Sequence, residues 1–227
     1  MTLTITQLIT NLNQSRVIDV LKILCYLFIG IFLSSIFLFN TIFEEADAKK
    51  SKKKISLCCT WGDQLDDGVL NYIITDGGSK LEKIVTNSLN EWQDKLPGLK
   101  FQEVDDKSDA DIFYEFKKGK GKKVGKTVTN FDHEGFIRIV EISLSKKSYG
   151  DKLDQNTLEH ISLHETGHAL GIGHANFDST LMSPEVNQVI KKISKCEIDA
   201  VMKANEWKLI KDKNSPLKSD KKSQKCK

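Results

Sequence analysis

The run His164-Glu165-Thr166-Gly167-His168-Ala169-Leu170-Gly171-Ile172-Gly173-His174 carries the densest chemical pattern in this 227-residue chain. It reads H-E-x-x-H-x-x-G-x-x-H. His164 and His168 stand four apart, so on a helix both imidazoles project from one face and can share a metal ion. Glu165 sits beside the first of them, where its carboxylate can reach a water on that metal without binding the metal itself. Gly171 permits a sharp turn through positive φ that ends the helix. That turn brings His174 back as a third nitrogen ligand. Three protein ligands leave a fourth position for water, the arrangement of a catalytic zinc rather than a structural one. A lone histidine on a helix is ordinarily a packing residue, and a bare H-E-x-x-H arises by accident. Here three His, one Glu and one Gly keep their offsets together, in a chain that has only five His.

These residues need elements to hold them. The segment from Asp154 to Leu170 predicts the site helix, with Asp154 or Asn156 as its cap and Leu158, Ile161 and Leu170 toward the core. Upstream, Gly68 to Thr75 reads as a strand and Asp76-Gly77-Gly78 as the turn after it. Ser79 is the expected N-cap of a second helix. Along it Leu81, Ile84, Val85, Leu89, Trp92 and Leu96 recur at helical spacing until Pro97-Gly98. Leu99 to Val104 and Ala110 to Phe116 are short strands around a polar turn, and Gly135 to Ser145 is another strand or strand pair. The basic stretch from Lys117 to Lys126 reads as a solvated loop, because no strand–loop–helix context supports phosphate binding. Ser194-Lys195-Cys196-Glu197 is a capping box opening a last helix with Ile198, Val201 and Met202. From Lys208 the tail is rich in Lys and Ser and is expected to fray unless Cys226 tethers it.

Composition sets outer limits. With 39% hydrophobic and 29% charged residues the chain suits one globular domain plus appendages. Its net charge of +3 comes from dispersed lysines, and nothing in it demands nucleic acid. Trp61, Trp92 and Trp207 are spread as core anchors would be. From Ile23 to Phe39 there are 17 uncharged residues, about the length of a membrane span. Ala46-Asp47-Ala48 is nonetheless an A-x-A-like cleavage site, so a cleaved signal and an uncleaved membrane anchor both stay open. Arg16 and Lys22 precede the segment, whereas Lys49, Lys50, Lys52, Lys53 and Lys54 come after it, a bias that taken alone would keep the rest of the chain in the cytoplasm. Four cysteines lie beyond the segment: Cys58, Cys59, Cys196 and Cys226. That even number is compatible with two disulfides in an exported domain, but their pairing is not readable. The expectation is a domain outside the cytoplasm, secreted or membrane-anchored.

The extended zinc motif, with Leu181-Met182-Ser183-Pro184 after it, resembles the matrixin branch of the metzincin metalloproteases. The resemblance implies that Met182 sits in a tight turn beneath the metal. It implies an α+β, α/β-like fold: a twisted mixed, mostly parallel sheet with an antiparallel edge strand, two long helices, the Met-turn and a C-terminal helix. It further implies that the edge strand lies near Ile137 to Ser145 and pairs with an extended protein or peptide substrate. Ile137, Val140, Ile142 and Pro184 would then be substrate contacts. The expected domain limits are 1–48 for the signal or anchor, 49–67 for a linker and domain start, 68–207 for the metalloprotease domain and 208–227 for the tail. One catalytic Zn2+ is expected on His164, His168 and His174. Only His133 and His160 are spare, so a second zinc is not expected, and calcium is possible but not readable. The family's prodomain, with its zinc-blocking cysteine motif, has no counterpart before Val69.

The implied activity is zinc-dependent endopeptidase action with Glu165 as general base. The alternative is a non-catalytic, envelope-attached binding module that retains the zinc fold, although Glu165 is intact. The oligomeric state is not readable.

Overall fold

The computed structural model describes residues 26, 52–119, 121–205 and 223–226, and the chain divides into compact units at Ser51/Lys52. Apart from Tyr26, the apolar segment Ile23 to Phe39 lies outside the described residues, as do Ala46-Asp47-Ala48 and Trp207. Among the described residues no helix is long and apolar enough to cross a membrane.

In the second unit the strands, in chain order, are β1 (Lys54–Leu57), β2 (Val69–Thr75), β3 (Lys100–Glu103), β4 (Ile112–Lys117), β5 (Gly125–Phe131), β6 (Ile137–Ser145), β7 (Lys147–Ser148), β8 (Asp151–Lys152), β9 (Ile172–Ala175) and β10 (Ser223–Lys225). The described helices of this unit are α1 (Ser79–Lys95), α2 (Gln155–Ala169) and α3 (Lys195–Ala204). Five strands form a sheet in the order β3-β2-β4-β6-β5. The first three pairings are parallel and β5 joins β6 antiparallel. This is the mixed, mostly parallel α+β sheet, with one antiparallel edge strand, that the resemblance implies.

Apolar alternation explains why β4 and β6 form the middle of the sheet. Ile112, Tyr114 and Phe116 on one strand and Val140, Ile142 and Leu144 on the other are buried together in the main core. Helices α1 and α2 bury Val85, Leu89, Trp92, Ile161 and Leu163 in the same core. Trp92 is fully buried and its indole N–H donates to the Leu163 carbonyl at 3.0 Å, which ties the two helices. Trp61 does the same for the end of α2, donating to the Ala169 carbonyl at 2.9 Å. The Tyr114 and Thr166 hydroxyls, 2.9 Å apart, bind α2 to the sheet.

Two expectations about helix starts have different outcomes. Asp154 is the N-cap of α2, its carboxylate accepting from the Thr157 amide at 2.9 Å. Ser79 is instead the first residue of α1, and Gly78, at φ 71°, takes the cap position without a side-chain bond.

A second, three-stranded sheet, β10-β1-β9, joins distant parts of the chain. Cys226 closes it, bonded as a disulfide to Cys196 at the start of α3. The other disulfide links the neighbours Cys58 and Cys59.

Candidate metal centre

Helix α2 presents His164 and His168 one turn apart, with ring centroids 4.7 Å from each other. The helix stops where Gly171 adopts φ +89°, and a Cβ there would stand 2.3 Å from the Cys59 carbonyl oxygen. Both conformation and space therefore require glycine. The turn feeds β9 and brings the His174 ring to 5.4 Å from His164 and 4.8 Å from His168. One ring nitrogen from each of the three lies within 4.8 Å of the others.

The tautomers are set by the neighbours. Nδ1 of His164 lies 2.7 Å from the Leu181 carbonyl, and Nδ1 of His168 lies 2.8 Å from the Ile172 carbonyl. A carbonyl only accepts, so both Nδ1 atoms carry hydrogen and both Nε2 lone pairs are free for a metal. Burial, with His168 and His174 nearby, holds the His164 imidazole down at about 3. Burial lowers His168 and His174 as well. All three are thus biased to the neutral form that ligation needs. This set of three nitrogen donors fits a zinc ion, which His164, His168 and His174 would hold.

Glu165 is 6% exposed, and burial pushes its carboxyl up to about 7. Its Oε2 accepts from the Thr127 hydroxyl at 2.6 Å. Met182 is fully buried, and its sulfur lies 2.7 Å from where a Cβ on Gly167 would stand. The Met182 carbonyl accepts from the Ala175 amide at 2.8 Å, so this turn supports β9 directly.

The expected edge strand is corrected. β6 is internal, paired with β4 on one side and β5 on the other. Ile137, Val140 and Ile142 have at most 1% of their surface exposed and belong to the core, so they do not present themselves to a substrate. The edge is β5, which begins inside the stretch expected to be a basic loop. Pro184 is exposed, just past the Met182 turn.

Other supporting residues gave weaker signals. Glu197, fully buried, closes the capping box with Ser194 and also accepts from the Thr180 hydroxyl and, at 3.0 Å, from the Leu181 amide. It therefore anchors the residue, Leu181, whose carbonyl holds His164. His160, one turn before His164, takes the Ile190 amide on Nδ1 at 2.8 Å and fastens the loop after Met182 to α2.

Three converging imidazoles thus stand beside a buried glutamate. The chain belongs to the matrixin family, whose model matches residues 63–204. Two solved structures of myroilysin are similar to it at 10% identity. One gives a TM-score of 0.44 over 66% of this chain and 90% of that one; the other gives 0.43 over 63% and 94%. No curated protein sequence matches the chain.

Proposed function

We propose that the protein is a zinc-dependent endopeptidase in which Glu165 is the general base. The observation that carries this is three imidazoles, each with a ring nitrogen within 4.8 Å of the others, beside a buried carboxylate. His164, His168 and His174 would hold the ion. Zinc held there would supply Lewis-acid chemistry toward the scissile carbonyl and a water.

Glu165 does the proton work. Its partly desolvated carboxylate takes a proton from the attacking water and delivers it to the leaving amine. The free side of β5 receives the extended substrate, whose backbone is satisfied by strand addition. Pro184, exposed beyond the Met182 turn, would meet a substrate side chain. Met182 supports the floor through β9.

The test is peptide hydrolysis by the full chain. Activity should vanish with a chelator and return with added zinc; hydrolysis that survives metal removal would contradict the reading.

We further propose that 68–207, the metalloprotease domain, works outside the cytoplasm, released or anchored through Ile23 to Phe39. The two disulfides, Cys58–Cys59 and Cys196–Cys226, support an oxidising compartment. Protease shaving of intact cells should remove the domain, and protection would contradict this placement.

A further inference from the structure

Gly125 and Thr127 lie two apart on β5, so they share the strand face turned toward α2. Each meets Glu165. A Cβ on Gly125 would stand 2.1 Å from Glu165 Oε1 and 2.8 Å from its carboxyl carbon, so the carboxylate occupies the space that the missing side chain leaves. Thr127 holds the other oxygen: its hydroxyl is 2.6 Å from Oε2 and 3.2 Å from the Glu165 main-chain carbonyl. A hydroxyl has one hydrogen. The shorter, charge-assisted contact to the carboxylate is the one it serves best.

We propose that Thr127 is a positioning residue for Glu165, and that with Gly125 it makes the edge strand a cradle for the base. This rests on the proposed function, since it gives Glu165 a proton-transfer role. Oε2 is tethered while Oε1 lies over the bare Cα of Gly125, so the carboxylate keeps one orientation. Among the described residues the other edge of this strand pairs with no strand. Substrate added there is fixed relative to the base by the element that orients the base, which links binding to a reactive geometry.

Thr127→Val keeps the branched shape that a strand favours and removes only the hydroxyl. Losing one hydrogen bond to a charged group should lower kcat about 10- to 100-fold. KM, zinc content and melting temperature should stay close to the parent. Thr127→Ser restores the donor and should recover kcat to within about threefold, because the hydrogen bond carries the effect. Gly125→Ala, which crowds Oε1, should also lower kcat with zinc retained. Unchanged kcat in Thr127→Val would overturn the proposal. So would equal damage in Thr127→Ser, or losses confined to zinc content and melting. Glu165→Gln in the same assay separates the two ideas. If it stays active, the base assignment fails; if it is inactive while Thr127→Val matches the parent, only the positioning role fails.

Discussion

The metal centre has two halves built in opposite ways. His164, Glu165 and His168 come from α2, a single continuous helix capped by its own Asp154. His174 comes from β9, which is held from afar. β1 pairs with it through Ile55↔Ala175 and Leu57↔Ile172, and the Ser56 hydroxyl donates to the His174 carbonyl at 2.7 Å. β1 is paired in turn with β10, whose end is fixed to α3 by Cys196–Cys226. The helix sets ligand spacing by its own geometry, whereas the strand half depends on chain segments more than a hundred residues away.

Removing a ligand gives the largest effect and should not distinguish the halves. His168→Ala and His174→Ala should each weaken zinc binding at least about 100-fold, beyond the 10–100-fold typical when only a ligand's outer partner is lost. Metal content after dialysis reads this directly. Retained zinc in either variant would remove that residue from the ligand set.

The disulfides distinguish the halves by a smaller amount. Cys196–Cys226 spans a sequence separation of 30, so opening it frees a real loop in the unfolded chain. Cys226→Ser should cost about 2–4 kcal/mol of stability. Its zinc affinity should also fall, since β10 no longer braces β1 and β9. Cys58 and Cys59 are neighbours, and their bond closes almost no loop, so chain entropy predicts a much smaller loss for Cys58→Ser. Denaturant unfolding of both variants makes the comparison; equal losses would show that loop closure is not what matters here.

The same division explains what was legible in the sequence. The α2 half is a local pattern, and His164, Glu165, His168 and Gly171 stand where periodicity and capping rules put them. Met182 is singled out only through the resemblance to a family turn, and its sulfur packs against Gly167. β2 buries Leu70 and Tyr72 two apart, and β4 and β6 keep to apolar alternation. β5 does not, because its inward positions include Gly125 and Thr127, which face the Glu165 carboxylate rather than the core. A strand whose inner face serves a charged group has no hydrophobic signature to read. Taking β6 for the edge is the consequence. β1 and β10 are four and three residues long and gain meaning only from pairing with each other and, for β1, with β9. Glu197 is legible as a helix cap, but its bonds to Thr180 and Leu181 depend on how α3 packs against the turn.

The central claim is that Glu165 performs the chemistry while the histidines hold the metal. Glu165→Gln keeps the size of the side chain and its capacity to meet the Thr127 hydroxyl, but removes the base. Peptide hydrolysis and zinc content should be measured on the same sample of that variant. Zinc should remain at the parent level, with hydrolysis reduced by at least about 10²–10⁴-fold, the range a positioned acid–base group contributes. Loss of zinc along with activity would make Glu165 part of the ligand set, and activity surviving with zinc in place would require another base.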